Sequence, residues 1–350
     1  MTYQLCIEPL GQTIAVGEGQ TILDACLRAG VYLPHACGHG LCGSCKIAVL
    51  EGEVEHNDAS SFALMDFERD EGKALACVAT IAADTVIEAD MDDEPDAQHH
   101  PVRDYRAVVS RTQALSPDIL GLWLRLAEGA LPFQAGQYVM LSVPGVEGAR
   151  AFSIASAPSQ GEEIELHIRR VPGGKATGWL HDHAAPGVEL ALAGPYGRFH
   201  VRGSAGLPKL FLAGGSGLSS PQSMILDLLE RGDPHPILLV HGARDAAGLY
   251  HADLFRELEA RHAHFAYLPV VSGDDPGWAG ERGHVHEVIE RRFGGRFDGH
   301  QAYLCGPPVM IDACITTLMR GRLFERQIFH EKFLTPADAQ QARSPLFKRI

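Results

Sequence analysis

The chain has 350 residues, 45% hydrophobic and 21% charged, a composition typical of a soluble globular protein with more than one domain. Its net charge of −14 is unevenly distributed, because residues 1–96 hold 18 of the 44 acidic but only 4 of the 30 basic side chains. This acidic surface argues against nucleic acid as a partner. No apolar run is long enough for a membrane helix and no secretory signal is recognisable, so we expect a cytoplasmic protein that does not bind a membrane.

The first chemical motif is the glycine-rich loop HACGHGLCGSC at residues 35–45. Its cysteines are spaced C-x4-C-x2-C and a fourth follows after 31 further residues, which gives the set Cys37, Cys42, Cys45 and Cys77. This is the spacing of a plant-type [2Fe–2S] cluster, in which a distant segment supplies the last thiolate. The glycines would let the backbone curl around the cluster and direct N–H groups at its sulfur atoms.

Other interpretations of these cysteines remain open. A structural zinc site usually has two close pairs of ligands, and Cys77 has no cysteine or histidine close to it in the sequence. His39 suggests a Rieske centre, but no later C-x-x-H motif supplies a second imidazole. The third alternative is a group of small buried thiols. A disulfide is not favoured, because structural disulfides are rare in the cytoplasm.

The pattern after residue 88 changes twice. An acidic segment with two prolines at residues 88–102 is typical of a linker, and the short alternating segments that follow predict an antiparallel barrel. From about residue 207, buried strands alternate with amphipathic helices, which predicts a parallel sheet. The predicted parts are a cluster domain at 1–92, a linker at 93–102, a barrel at 103–203, an α/β domain at 204–335 and a tail at 336–350.

The barrel carries the tetrapeptide RAFS at residues 150–153. Arg150 would pair with a pyrophosphate, Phe152 would stack along a flavin, and Ser153 would hydrogen-bond the flavin N5 atom. Taken alone, such a tetrapeptide is more often an ordinary edge strand. It gains weight from GGKATGWL, in which glycines precede a predicted helix whose N-terminus could bind phosphate, with Gly174 and Thr177 as the expected contacts.

The α/β domain begins with a strand, a glycine turn and a helix. Gly214, Gly215 and Gly217 would let a dinucleotide pyrophosphate approach the backbone, although the turn is not a full G-x-G-x-x-G motif and tight packing is the alternative. A later strand ends at Cys305, at the sheet edge where ligands bind, or where a small thiol is simply buried.

Two residues after the second predicted strand bear on the choice of nicotinamide donor. Asp245 would accept a hydrogen bond from a ribose 2′-hydroxyl and repel a 2′-phosphate, whereas Arg244 would favour that phosphate. The two signals conflict, so the residues alone leave NADH and NADPH both open.

This order of motifs resembles the ferredoxin–NADP reductase superfamily fused to a plant-type ferredoxin. The chain is most similar to reductase components of multicomponent phenol hydroxylases, in segments such as ASSFALMDFERDEGK, RAFSIAS, AGGSGLSSPQSMILDLLERGD, AYLCGPPVMIDACITTLM and LFKRI. The resemblance implies an α+β (β-grasp) ferredoxin domain, an antiparallel β-barrel that binds FAD, and an α/β parallel-sheet domain that binds NAD(P)H. It also implies that NADH delivers electrons through FAD and the [2Fe–2S] cluster to a di-iron hydroxylase.

The resemblance also assigns roles by position. Gly215, Ser216 and Gly217 would face the NAD(P)H pyrophosphate, Cys305 and Gly306 the nicotinamide, and Phe333 the flavin face. Ser153 and Cys305 would align the transfer of hydride rather than act as acid, base or nucleophile. Many members of the superfamily have tyrosine where Phe152 stands. Core packing is the alternative for Phe333, because a further tail follows it.

The partner implied by the resemblance is the hydroxylase component, which we expect to dock on the acidic ferredoxin domain. Reductases of Rieske aromatic dioxygenases and of other di-iron monooxygenases share this domain order and remain alternatives. So do two other classes of protein, a zinc-stabilised interaction module on a flavoprotein and a non-catalytic nucleotide sensor. Acid-labile sulfide would exclude the first of these two classes, and rapid NADH oxidation with an artificial acceptor would exclude the second.

Overall fold

The computed structural model describes residues 1–35, 38, 40–91 and 96–332. The chain forms two compact units, one of residues 1–104 with 194–198, the other of residues 105–193 with those from 199 onward. Two predicted segments lie partly or wholly outside the described residues, the linker at 93–102 in its first positions and the tail at 336–350 throughout. In the part of the chain that the structure describes, no helix has the length and apolarity needed to cross a membrane.

The first unit is a mixed sheet with a short helix against it. Its elements are β1 (Thr2–Glu8), β2 (Gln12–Gly17), α1 (Ile22–Arg28), β3 (Lys46–Glu51), β4 (Val54–Glu55), α2 (Asp66–Asp70), β5 (Lys73–Leu75), β6 (Thr80–Ile81) and β7 (Thr85–Glu88). The strand order is β2-β1-β7-β3-β5, with β1 and β7 parallel, and β4 pairs with β6 separately. Helix α1 buries an apolar face that includes Ile22, Cys26 and Leu27. This confirms the predicted β-grasp fold.

The second unit begins with an antiparallel barrel. Its elements are β8 (Arg103–Ala114), β9 (Ile119–Leu126), β10 (Tyr138–Ser142), β11 (Arg150–Ser153), β12 (Glu163–Arg169), α3 (Lys175–His183) and β13 (Glu189–Tyr196). The strand order is β11-β10-β13-β8-β9-β12, and a bridge between Ile154 and Leu166 nearly closes the sheet. Alternate residues of these strands, such as Leu122, Leu124 and Val139, fill the interior. The prediction of an antiparallel barrel is confirmed.

A parallel sheet completes the second unit. Its elements are β14 (Lys209–Gly214), α4 (Ser219–Glu230), β15 (Ile237–Ala243), α5 (Ala252–Arg261), β16 (Phe265–Val271), β17 (Glu281–Arg282), α6 (Val285–Phe293), β18 (Gln301–Gly306), α7 (Pro308–Arg320) and β19 (Ile328–Lys332). The order is β17-β16-β15-β14-β18-β19, with parallel pairing throughout, and an apolar core covers each face. The predicted α/β fold is therefore confirmed.

The direction in which this sheet grows reverses between β14 and β18. Strands that follow β14 in sequence are added on one side as far as β17, and the chain then returns to place β18 on the other side of β14. In open parallel sheets such a switch point leaves a crevice at the carboxyl ends of the strands, and ligands bind there. The crevice lies beside the glycine turn after β14 and the end of β18 at Cys305 and Gly306.

Candidate functional site

Three of the four predicted cluster cysteines lie in the described part of the first unit. Cys42 is exposed on the loop between α1 and β3, whereas Cys45 and Cys77 are buried. A hydrogen bond with Cys77 lowers the pKa of the Cys45 thiol, so these two side chains are in contact although they are distant in sequence. Cys37 lies outside the described residues.

The backbone of the loop is shaped to surround a group held by these cysteines. Gly38, Gly40 and Gly43 have φ angles of 70°, 72° and 77°, in the left-handed region that favours glycine. The Gly40 N–H donates a hydrogen bond to the Cys77 sulfur at 3.3 Å, and a Cβ at Gly40 would lie 3.0 Å from the Asp58 carbonyl oxygen. Thiolates together with inward-pointing N–H groups are the donor set that a [2Fe–2S] cluster requires. The described residues fit that group.

In the second unit, strand β11 presents the RAFS residues alternately to its two faces. The exposed Arg150 guanidinium donates hydrogen bonds to the carbonyls of its own loop, at residues 147, 148 and 149, over distances of 3.0–3.1 Å. Phe152 is half-buried and packs against the barrel core. Ser153 faces the other way and is buried.

The Ser153 hydroxyl leads to a carboxyl group that sequence analysis missed. It donates a hydrogen bond to Glu331 Oε2 at 3.1 Å, and the Ser220 hydroxyl donates to the same oxygen at 3.1 Å. The Cys305 sulfur lies 3.9 Å from this oxygen. Ser153, predicted from the barrel, and Cys305, predicted from the sheet, are thus brought together around Glu331.

Burial controls the protonation of this group of side chains. It raises the pKa of Glu331 to about 7, against the opposing effect of the Ser220 and Ser153 hydroxyls. Burial and the neighbouring Glu331 together raise the pKa of Cys305 well above its usual range. Cys305 is therefore a neutral thiol at neutral pH. Since only a thiolate is a strong nucleophile, this thiol is a weak one. This suits a residue that shapes a site more than one that attacks a substrate.

A second feature of the barrel lies at the start of α3, where Gly174 and Thr177 were predicted to contact phosphate. Gly174 is the N-cap residue, and a Cβ there would lie 2.8 Å from Thr177 Oγ1, which accepts a hydrogen bond from the Val171 N–H at 3.1 Å. A pocket of about 630 Å³ opens beside this turn, lined by Pro144, Gly145, Val146, Gly174, Lys175, Gly178, Trp179, Asp182 and His183. The pocket offers both a helix N-terminus and an aromatic surface to a ligand.

The glycine turn after β14 is packed tightly against the end of β18. A Cβ at Gly217 would lie 2.4 Å from the Cys305 carbonyl oxygen, and one at Gly214 would lie 2.7 Å from Met310 Sδ. Gly215 has a φ of 56°, and the Ser216 carbonyl accepts a hydrogen bond from Ser219. Helix α4 continues directly from the short turn at Gly215–Leu218, and among the described side chains none caps either of them. This geometry suits a pyrophosphate.

Arg244 and Asp245 are exposed after the end of β15, at the same sheet edge as the glycine turn. The Asp245 carboxylate accepts a hydrogen bond from the Gly248 N–H at 3.0 Å, which fixes the short turn that follows. Both side chains therefore lie at the carboxyl edge of the parallel sheet, the edge at which ligands of such sheets bind. Phe333, predicted to cover the flavin, lies outside the described residues.

Comparison with known proteins agrees with this arrangement. Residues 6–82 match the 2Fe-2S iron-sulfur cluster binding domain, residues 106–201 the oxidoreductase FAD-binding domain, and residues 211–315 the oxidoreductase NAD-binding domain. The reductase component of phenol 2-monooxygenase from Pseudomonas sp. (strain CF600) is 58% identical over 354 residues, which cover 100% of both chains. The chain belongs to this family of reductase components. The reductase is accordingly a flavin and iron–sulfur NAD(P)H oxidoreductase.

Other relatives of the reductase extend the likeness. A phenol hydroxylase protein from Acinetobacter pittii (strain PHEA-2) is 54% identical, with 100% of both chains covered. Among solved structures, the Amycolatopsis reductase GcoB superposes with a TM-score of 0.87 at 37% identity, covering 95% of this chain and 99% of the other. The ferredoxin reductase in carbazole 1,9a-dioxygenase gives a TM-score of 0.80 at 27% identity, with the same coverage.

The predicted family, fold class and cofactors of the reductase are therefore confirmed, whereas the roles of individual residues stay predictions. Sequence analysis missed Glu331 and Ser220. A sequence signal for Glu331 was present, because it lies two positions before Phe333, which was itself predicted to contact the flavin. Ser220 offered no comparable signal, since a serine at the start of a helix is common.

Proposed function

We propose that the reductase passes electrons from NADH through FAD and the [2Fe–2S] cluster to the di-iron hydroxylase component of a multicomponent phenol monooxygenase. The observation that carries this proposal is the 58% identity, over the whole of both chains, to a protein named as the reductase component of phenol 2-monooxygenase. The proposed domains are 1–92 for the cluster, 103–203 for FAD and 204–335 for NAD(P)H, with a linker at 93–102.

In the cluster domain, Cys37, Cys42, Cys45 and Cys77 would supply the four thiolates. The contact between Cys45 and Cys77, two side chains distant in sequence, supports this role, because a plant-type cluster draws its last thiolate from a distant segment. The Gly40 N–H, 3.3 Å from the Cys77 sulfur, would stabilise negative charge on that ligand.

In the second unit, the chain's own residues would align two cofactors. When bound, FAD accepts a hydride from NADH and passes electrons on one at a time to the cluster. The buried hydroxyl of Ser153 would hydrogen-bond the reactive edge of the flavin, and Cys305 would limit how the nicotinamide approaches. Glu331 would hold the Ser153 hydroxyl in place through their hydrogen bond.

The outer parts of the two cofactors would be bound by backbone and charge. Arg150 would turn from its own loop to the FAD pyrophosphate, Phe152 would stack along the flavin, and Gly174 and Thr177 would contact phosphate at the start of α3. The NADH pyrophosphate would lie on Gly214, Gly215, Ser216 and Gly217, with Gly306 and Cys305 beside the nicotinamide. Phe333 would cover the flavin face.

The proposed donor is NADH rather than NADPH. Asp245 is exposed at the sheet edge and would repel a 2′-phosphate, although the neighbouring Arg244 would attract it. Steady-state kinetics with both donors tests the choice. A higher kcat/KM for NADPH than for NADH would reverse it.

The proposed docking surface for the hydroxylase is the acidic ferredoxin domain, in a reductase that works in the cytoplasm without binding nucleic acid or membrane. Residues 1–96 carry the whole excess of negative charge. Opposite charges on two partners accelerate their association when they are not screened by salt. A basic patch on the hydroxylase is the partner surface that this charge would fit.

An anaerobic titration with NADH, followed by optical and EPR spectra, tests the electron path. We expect bleaching of the flavin absorption and the EPR signal of a reduced [2Fe–2S] cluster. Reconstitution with a purified phenol hydroxylase then tests the partner, through NADH-dependent formation of the hydroxylated product. A reductase that reduces its own cluster but supports no phenol hydroxylation would refute the partner while leaving the electron path intact.

A second candidate partner is an aromatic dioxygenase. It is favoured by the likeness to the ferredoxin reductase in carbazole 1,9a-dioxygenase, at a TM-score of 0.80. Its lower identity of 27%, compared with 58% for the phenol 2-monooxygenase relative, makes it the weaker candidate. Turnover with each purified oxygenase under the same conditions separates the two.

A further inference from the structure

A second group of polar side chains lies away from Ser153, Glu331 and Cys305. Glu165 and His167 lie on one face of strand β12, two positions apart, and His251 immediately precedes α5. Glu165 and His167 are buried, whereas the His251 side chain is 18% exposed. Their ligand atoms all lie within 4.8 Å of one another. No step of the proposed electron transfer uses these residues.

Four short polar contacts connect this group to the glycine turn. Glu165 Oε1 lies 3.0 Å from His167 Nε2 and 3.1 Å from His251 Nε2. The Tyr250 hydroxyl lies 3.1 Å from His167 Nδ1 and donates to the Gly215 carbonyl at 3.0 Å. Each contact joins two electronegative atoms at hydrogen-bond distance, so each requires a proton or a cation between them.

The neutral side chains supply one proton too few. A neutral histidine has one N–H group and a tyrosine one O–H group, so His167, His251 and Tyr250 together bring three protons to four contacts. Because Tyr250 donates to Gly215, His167 must donate to Tyr250 from Nδ1. Its Nε2 atom then has only a lone pair to present to Glu165 Oε1. Two lone pairs would face each other at 3.0 Å.

A fourth proton would make His167 an imidazolium, although its side chain has no exposed surface. A buried charge is costly unless it is paired or coordinated by several groups. A metal ion where the three ligand atoms converge would be coordinated by all of them, whereas an extra proton on His167 would be shared with Glu165 alone.

We propose that Glu165, His167 and His251 form a site for a divalent transition-metal ion of the zinc type. The set of two imidazoles and one carboxylate is one that zinc uses, with a fourth position left to water. Metal–ligand bonds of about 2.0–2.2 Å place neighbouring ligand atoms of a tetrahedral site roughly 3.3–3.6 Å apart. The 3.0 and 3.1 Å distances from Glu165 Oε1 to the two Nε2 atoms are a few tenths of an ångström shorter, so a small outward shift of the side chains admits the ion.

With an ion bound, every polar atom in the four contacts is satisfied. The ion takes the lone pairs of both Nε2 atoms and of Glu165 Oε1, while His167 donates to Tyr250 and Tyr250 to Gly215. The outer contacts of a metal site are also present. Tyr250 holds the second ring nitrogen of His167, and the Gln222 amide donates to Glu165 Oε2 at 3.3 Å.

The bound ion would connect parts of the second unit that are distant in sequence. It would link barrel strand β12 to the residue before α5, and through Tyr250 it would brace the carbonyl of Gly215 in the glycine turn. Its effect would therefore be to rigidify the approach to the proposed dinucleotide site. The exposed side of His251 gives the ion a route from solvent.

Zinc binding to the intact reductase tests the site. The protein, loaded with FAD and cluster, is washed with a chelator and dialysed against zinc, and bound zinc, iron and flavin are counted. His251→Asn is the test variant, because residue 251 has a φ of 57°, which asparagine tolerates. His286→Asn is the matched control. His286 lies on α6 and is not one of the three proposed ligands, and its ring stacks on that of His284 with the centroids 5.7 Å apart.

We expect the wild type and His286→Asn to bind one zinc ion per chain more than His251→Asn, and their melting temperatures to rise with zinc. Zinc affinity in His251→Asn should fall at least about tenfold, with iron and flavin content unchanged. Glu165→Gln serves as a second test variant with the same expected loss. If both test variants bind as much zinc as the wild type, the zinc is bound by other histidines. If the wild type binds no zinc, an additional proton supplies the missing charge. Either result overturns the proposal.

Discussion

The Ser153 hydroxyl donates a hydrogen bond to the Glu331 carboxylate at 3.1 Å although 178 positions separate the two residues. This bond ties the end of barrel strand β11 to β19, an edge strand of the parallel sheet. Ser220 donates to the same carboxylate oxygen, and Cys305 lies 3.9 Å from it. A carboxyl group thus lies at the point where the flavin barrel and the nicotinamide sheet meet within the second unit.

Replacing Glu331 by glutamine should change how activity depends on pH. Burial raises the pKa of Glu331 to about 7, so its negative charge appears as pH rises through neutrality. That charge beside Ser153 opposes the arrival of a hydride, and NADH-to-dye turnover of the wild type should fall as pH rises through about 7. Glu331→Gln should lose this step. The measurement is kcat from about pH 6 to about pH 8.

The same shift predicts a trend in stability. A carboxyl whose folded pKa is raised stabilises the fold fully below its unfolded pKa of about 4.5, and this contribution is lost as pH rises toward 7. The melting temperature of the wild type should therefore fall relative to Glu331→Gln over that range. Glu325→Gln, at an exposed glutamate on the turn before β19, is the control. An unchanged pH profile in Glu331→Gln would contradict the prediction.

Replacing Tyr250 by phenylalanine should weaken NADH binding. The hydroxyl donates to the Gly215 carbonyl at 3.0 Å, so its loss frees the turn proposed to hold the pyrophosphate. A net hydrogen bond contributes about 0.5–1.5 kcal/mol, which corresponds to a rise in KM for NADH of roughly two- to tenfold with a smaller change in kcat. Tyr267→Phe is the control, since that hydroxyl contacts His241. Equal effects in both variants would count against the role of Tyr250.

Replacing Cys42 by serine should separate the two halves of the electron path. Cys42 is an exposed cysteine in the first unit, whereas Ser153 and Cys305 belong to the second. We expect the variant to lose or severely alter its cluster, seen as lost EPR signal and acid-labile sulfide, while NADH-to-dye turnover continues. Cys6→Ser, at a half-buried cysteine outside the predicted ligand set, should keep both. Loss of FAD from a folded Cys42→Ser protein would be inconsistent with independent units.

Reversing charge on the ferredoxin domain should slow transfer to the hydroxylase. Glu51, Glu53 and Glu55 are exposed around the turn between β3 and β4. If they steer docking, transfer in the wild type should slow with added salt, because the Debye length shrinks from about 30 Å at 0.01 M to about 8 Å at physiological ionic strength. Changing all three to lysine should slow transfer at low salt and flatten its salt dependence.

NADH-to-dye turnover, which needs no protein docking, is the internal control for that experiment. A second control changes Asp253 and Glu257, which are exposed on α5 in the second unit, to lysine. It shows whether a change in the net charge of the reductase, at any place on its surface, affects transfer. If transfer to the hydroxylase responds to neither salt nor the ferredoxin substitutions, the acidic surface serves only solvation.

A buried ion pair at the start of β14 should matter for stability. The Lys209 ammonium has no exposed surface and lies 3.0 Å from the Asp233 carboxylate. Removing the carboxylate in Asp233→Ala leaves a buried charge without its partner, which should cost about 3–5 kcal/mol in the free energy of unfolding. Lys209→Met should cost less, because it replaces the buried cation by an apolar chain of similar length. Thermal denaturation of the two variants compares them, and a larger loss in Lys209→Met would reverse this ranking.

Features that depend on neighbouring residues could be predicted from the sequence. The spacing of Cys42 and Cys45 and the glycines around them are set by the local backbone, which must turn through the left-handed region to surround a cluster. The strand, glycine turn and helix at 209–230 are local in the same sense. Alternation along β11 is local too, and it puts Ser153 on the opposite face from Arg150 and Phe152.

What only the tertiary structure decided is which isolated polar residues meet. Glu331 becomes a partner of Ser153 because β19 lies beside β18 at the sheet's edge, and no periodicity in the sequence specifies that meeting. Glu165 and His251 are similarly unremarkable in their own segments, one on a barrel strand and one before a helix. Their chemistry follows from packing, which brings the ligand atoms of Glu165, His167 and His251 together with fewer protons than contacts, and that arrangement exists only once distant segments have met.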